Sequence, residues 1–205
     1  MHIVDGALSN PVVLGGAVLA VGGIAMGLRQ MTLERIPATG ILSASFFVAS
    51  LIHVPIGPSS VHLVLNGLAG LVLGWAAFPA LFVGLLLQAV FFGFGGLTVL
   101  GINTLNIAGP AVLAWLIFGR MVERGSPMSG AVWAGIGGAF AIAATTLGVA
   151  FSLVLTGEEF LPAARLVFFA HIPIMVIEAL LTGAAVLLIR KVRPDLFTAA
   201  KGVTL

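Results

Sequence analysis

The chain has 205 residues, of which 60% are hydrophobic and only 8% charged, and its mean hydropathy is +1.21. A soluble domain carries about 25% charged residues, so a soluble enzyme is excluded. Nine Lys+Arg against seven Asp+Glu are too sparse for a phosphate-binding stripe, which excludes nucleic acid as a partner despite a pI of 9.9. The absence of cysteine removes disulfides, thiol catalysis and thiolate metal sites. Residues 1–205 therefore read as a single integral membrane domain that crosses the membrane several times.

In chain order, residues 1–10 lack the basic flank of a secretion signal and read as an extracytoplasmic segment. Seven transmembrane helices are expected, over 11–28, 38–53, 60–77, 79–93, 105–119, 129–156 and 162–190. Ser9 or Asn10 can cap the first helix, with Pro11 at its first position. The run 60–93 would be about 51 Å long as one helix, against a hydrocarbon core of about 30 Å, so it must break. Pro79 is the natural breaking point. Residues 191–205 form a cytoplasmic tail.

Charge supports this count. Arg29 and Arg35 follow the first helix, Arg120 and Arg124 the fifth, and Arg190, Lys191, Arg193 and Lys201 the seventh. Seven helices bring all three clusters to one side, which the positive-inside bias makes cytoplasmic. The N-terminus is then outside and the C-terminus inside. Small residues four apart, Gly23/Gly27, Gly70/Gly74 and Ala131/Gly135, suit close helix packing within the bundle.

The same topology puts all four histidines in the outer half: His2, His53 at the end of helix 2, His62 in the first turn of helix 3, and His171 inside helix 7. Imidazoles at an outer mouth suit a borderline divalent cation. A free Met1 amine, the His2 amide nitrogen and His2 Nδ1 can chelate one ion in a plane, and one more imidazole completes a square of nitrogens. That geometry belongs to Ni(II) or Cu(II). An ordinary N-terminus is the competing reading.

Other polar residues fall near this mouth. Ser59 or Ser60 can cap helix 3, and Asn66 shares a helical face with His62 and can orient its ring. The glycine-rich stretch from Gly93 to Asn106 reads as an outer loop with Asn103 or Asn106 turned inward, or as an ordinary connection. Asp5 can offset metal charge or fix the terminus. Glu178 is the one acid within a span and a functional candidate by default, as an interhelical hydrogen bond, a brace for His171 or a proton relay. No His-Glu-x-x-His, nucleophile elbow or P-loop is present, so an enzyme is not expected, and energy for uphill transport must come from another subunit or an ion gradient.

Met1-His2-Ile3-Val4-Asp5-Gly6, Ser60-Val61-His62, Gly95-Gly96-Leu97-Thr98 with Asn103-Thr104-Leu105-Asn106, and Ala170-His171-Ile172-Pro173 with Glu178 closely resemble the CbiM/NikM family. These are the cobalt- and nickel-specific substrate-binding membrane subunits (S components) of energy-coupling factor (ECF) transporters. The resemblance implies a seven-helix subunit with its N-terminal segment inserted from outside. It implies ligation by Met1, His2 and His62, with no cofactor beyond the transported Co(II) or Ni(II). The partners it implies, in a bacterial cytoplasmic membrane, are a transmembrane coupling subunit and two cytoplasmic ATPases, often with a small auxiliary membrane subunit. Cobalt, for cobalamin synthesis, is placed slightly ahead of nickel. The alternative is a proton-coupled secondary metal transporter using Glu178.

Overall fold

In the computed structural model, residues 2–51, 53–56 and 59–198 are described. The chain is mostly helical: α1 (Asn10–Arg29), α2 (Ile36–Ala49), α3 (Asn66–Leu73), α4 (Ala77–Phe92), α5 (Leu100–Glu123), α6 (Pro127–Thr156), α7 (Leu161–Ala170), α8 (Ile172–Val192) and the short α9 (Asp195–Thr198). A hairpin of β1 (His53–Ile56) and β2 (Ser59–His62) pairs antiparallel with His53 opposite His62. Five helical stretches are long and apolar enough to cross a membrane: Asn10–Arg29, Asn66–Phe92, Leu100–Glu123, Pro127–Thr156 and Glu158–Val192. Their outward faces carry large exposed apolar side chains such as Val18, Phe91, Phe151 and Leu180, as a lipid-facing surface requires. The protein is a multi-pass membrane protein.

By composition Asn66–Phe92 is one span, but the contacts make it two opposed legs. His62 stacks on His2, and a Cβ on Gly95 would meet His2, so residues 62 and 95 both lie beside the N-terminal segment. Trp75 and Pro79 instead lie against Gly27, at the far end of α1, and the Arg35 guanidinium donates to the Val72 carbonyl there. The chain therefore descends through α3, reverses in the 3-10 turn Gly74–Ala76, and returns through α4. The reversal comes at Gly74, at φ 59°, where glycine escapes the Cβ penalty. Pro79 sits in the first turn of α4, where its missing N–H costs nothing.

The remaining legs alternate likewise. Ser9 N–H donates to Thr156 Oγ1, which brings the end of α6 back to the N-terminal end. Arg190 donates to the carbonyls of Glu123, Gly125 and Ser126 and ties the end of α8 to the α5–α6 connection. Arg29, Arg35, Arg120, Arg124, Arg190, Lys191 and Arg193 thus gather at the end opposite the N-terminal segment, and Arg165 stands apart at the start of α7. Small residues allow the close approaches: a Cβ on Gly70 would overlap the Ala111 carbonyl of α5, and one on Gly23 would strike the Phe78 ring of α4. The core gathers Phe46, Leu68, Leu81, Ile107, Ile142 and Val186 from five of the legs and α8.

Four expected boundaries are corrected. Helix 2 ends at Ala49, so His53 lies on β1 and not at a helix end. Helix 3 begins at Asn66, so Ser59, Ser60 and His62 belong to β2 and neither serine caps the helix. Extended, β-branched Val54 and Val61 and the prolines favour the hairpin over a continued helix. Helix 5 begins at Leu100, which moves Asn103 and Asn106 from a loop onto α5. Helix 7 breaks at His171: Pro173 cannot donate within the ladder, and His171 Nδ1 binds the Val167 carbonyl that a continuing helix would have used.

Candidate metal centre

Three rows of contacts fix the N-terminal segment. Ile3 N–H donates to Asn103 Oδ1 and the Ile3 carbonyl accepts from Asn103 Nδ2, both at 3.0 Å, so one amide side chain mimics a neighbouring strand. Asp5 N–H donates to the Gly95 carbonyl at 2.8 Å, while Asp5 Oδ1 accepts from Thr98 Oγ1 and from Val99 N–H at the start of α5. There the carboxylate also meets the positive end of the helix dipole. Ile3 and Leu8 then pack with Val99, Ile102, Val149, Leu153 and Val167 of α5, α6 and α7.

The glycines of the 93–96 connection make this docking possible. Gly95 and Gly96 have φ of 76° and 130°, and a Cβ on Gly96 would overlap the Asp5 carboxylate. Sequence reasoning left this stretch open between a site loop and an ordinary one; it is the cradle of the N-terminal segment. Phe94 stacks near His2 with ring centroids 6.3 Å apart, an apolar wall over the imidazole.

His2 and His62 meet at the centre, each only 2% exposed, with ring centroids 4.6 Å apart and 20° between planes. His62 Nδ1 lies 2.7 Å from the Leu63 carbonyl. That acceptor requires Nδ1 to carry the proton, which leaves the Nε2 lone pair for a ligand. Nε2 is buried and finds no hydrogen-bond partner among the described residues. Burial, first of all, holds the His62 imidazole well below its ordinary 6.5, so it stays neutral. The His62 depth follows from leg length: α3 spans about 12 Å against about 24 Å for α4, so the hairpin reaches into the bundle.

A family model described as the cobalt uptake substrate-specific transmembrane region, CbiM, matches residues 2–196. The chain belongs to the CbiM family. Among similar proteins, one of Haemophilus influenzae named for metal transport is 43% identical over 197 residues, covering 95% of this chain and 96% of that one. The fused nickel transport protein NikMN of Rhodobacter capsulatus is 38% identical over 165 residues, 73% of this chain but 47% of that longer protein. The crystal structure of a transition metal transporter superposes with a TM-score of 0.74 at 26% identity, covering 94% of this chain and 93% of that one.

Within this CbiM-family chain the other expected residues fall into place unevenly. Asn66 does not orient His62, whose ring is held by Leu63; its Nδ2 donates to the Ile107 carbonyl and to Thr145 Oγ1 instead. Asn106 donates to Ser152 Oγ, joining α5 to α6 away from the imidazoles. His171 is fully buried with Nδ1 on the carbonyl of Val167, a residue of the same apolar cluster as Ile3 and Leu8 of the N-terminal segment. Glu178 Oε1 accepts from Val64 and Leu65 N–H in the turn before α3, a bond from helix to turn rather than between helices or to His171. Met1 and the His53 and Ser60 side chains lie outside the described residues. Sequence reasoning did not single out the Ile3 backbone or the Thr98 hydroxyl as site-forming; the adjacent Gly95-Gly96 pair was the available signal.

Proposed function

We propose that this protein captures a divalent transition metal as the substrate-binding membrane subunit of an ATP-driven importer of the energy-coupling factor type. The observation that carries the reading is the buried pairing of His2 with His62. An importer needs a site that strips water from the ion and is read from one side of the membrane. The ligand set is the Met1 amine, the His2 amide nitrogen and Nδ1, and His62 Nε2. A chelated terminus occupies three corners of a square, so His62 takes the fourth, beside the His2 ring. Two imidazoles at neighbouring corners, with metal–nitrogen bonds of about 2.0–2.1 Å, have centroids about 4.5 Å apart, and the rings sit at 4.6 Å.

Four planar nitrogens favour Ni(II) by affinity order, while Co(II) fits the same donors and is the cargo named in the family description. We place cobalt slightly ahead, for cobalamin synthesis. The gathered basic residues support a reading in which the end opposite the metal centre is cytoplasmic and the N-terminus outside, by the positive-inside bias. There a transmembrane coupling subunit, two ATPases and a small auxiliary membrane subunit complete the transporter, since this chain carries no nucleotide-binding loop. A proton-coupled carrier built on Glu178 has less support, because that carboxylate already serves two backbone amides.

The test is metal titration of purified protein with an unmodified Met1, beside a variant carrying one extra residue before it. The native form should bind one Ni(II) or Co(II) and the extended form should lose it. Equal binding by both forms refutes the terminal chelate.

A further inference from the structure

His62 is carried by a turn whose conformation is unfavourable on its own. Leu65, three residues on, sits at φ 53°, in the left-handed region where Cβ crowds the backbone of a non-glycine residue. Such a residue persists only where its surroundings over-determine it. Here the determinant comes from another leg of the bundle. Glu178 of α8 is fully buried, and its Oε1 accepts from Val64 N–H at 2.5 Å and from Leu65 N–H at 2.8 Å. Those amides immediately precede α3, which has no side-chain cap of its own. The carboxylate thus binds in trans the N-cap amide, here that of Leu65, which the third-position glutamate of a capping box binds in cis, at the positive end of the helix dipole. A buried acid spanning 113 residues of sequence to hold one turn is costly in lipid, and its position explains that cost only if the turn matters.

We propose that Glu178 is the positioning residue of the metal centre: it locks the 63–65 turn so that His62, through its own bond to the Leu63 carbonyl, presents Nε2 to the ion. This rests on His62 being a ligand, as proposed above. The linkage runs both ways. An ion on His62 stiffens the turn and so tightens the grip of α8 on α3, which lets the long α8 register whether the site is filled.

The experiment uses the full-length protein and Ni(II) as the probe, read by titration and by the absorption spectrum of the bound ion. Glu178→Ala should weaken binding about 10–100-fold, as loss of a ligand-orienting group does, and should shift the spectrum of the bound ion away from that of wild type. Glu178→Gln keeps a carbonyl oxygen for the two amides and should restore both affinity and spectrum. Thr182→Val, one turn along α8 at a buried hydroxyl, should behave as wild type. If Glu178→Ala is too unstable to purify, Glu178→Asp, one methylene short of the amides, should show the same spectral shift. Wild-type affinity and spectrum in Glu178→Ala or Glu178→Asp, while His62→Ala loses both, overturn the positioning role alone. Weakening without a spectral shift, matched by Thr182→Val, also overturns it, because general loosening then suffices. Failure of wild type to bind Ni(II), or full binding by His62→Ala, overturns the metal-centre reading and the positioning role with it.

Discussion

Asn103 and Ile3 exchange two hydrogen bonds of 3.0 Å across a sequence separation of 100 residues, and this pair seats the N-terminal segment in the bundle. The side-chain amide matches a peptide group donor for acceptor, so no other residue type of that size repeats both bonds.

Asn103→Leu should therefore undock the segment, because it strips Ile3 of a donor and an acceptor at once, each worth about 1–3 kcal/mol when left buried. Metal affinity should fall about 10–100-fold. Hydrogen exchange of residues 2–8 should rise in parallel, and unchanged exchange would show that the apolar contacts of Ile3 and Leu8 suffice.

Gly96→Ala should impair metal binding more than Asp5→Ala does. The first sets a methyl group into the Asp5 carboxylate and strains a backbone at φ 130°, whereas the second only removes a cap worth about 1 kcal/mol. Titration of the two variants side by side ranks them, and the reverse order would mean that the carboxylate itself matters to the ion.

Gly70→Ala should lower thermal stability by about 1–3 kcal/mol, since its Cβ would overlap backbone atoms of Ala111 that cannot rotate away. Gly15→Ala, on the same kind of helix but with open space at its Cβ, should leave the unfolding temperature unchanged. Equal effects would mean that α3 and α5 separate readily.

The buried His62 should make folding stability acid-sensitive. Its imidazole is held well below 6.5 by burial first, whereas the unfolded chain takes up a proton near 6.5. Below that value the unfolded state binds more protons, so stability is complete above pH 6.5 and drains away as pH falls toward the folded value. Unfolding temperatures of metal-free protein at pH 5 and 7.5 should differ, and His62→Gln should narrow the difference. A difference that His62→Gln leaves intact assigns the effect to other groups.

Much of this was legible from residues alone, because the membrane imposes simple rules. Apolar runs, Pro79 near a reversal and basic clusters at intervals were enough for seven legs and for one basic end. Residue chemistry pointed to His2 and one further imidazole, because few histidines exist, and the resemblance to the CbiM/NikM family singled out His62 among the three. The hairpin was not: four-residue strands inside an apolar chain carry no period that distinguishes them from a helix start. Nor was the break at His171, where a side chain competes with the backbone for the Val167 carbonyl.

Composition and charge by themselves determined that the chain lives in a membrane, with basic residues at one end and histidines toward the other. Only the tertiary structure decided which groups hold the histidines in place. Asn103 with Ile3, Asp5 with Thr98 and Val99, and Glu178 with Val64 and Leu65 are each separated by 93 residues or more. Inside a bundle with no water to satisfy them, polar groups must find partners across the fold, and sequence spacing does not encode which partner each will meet.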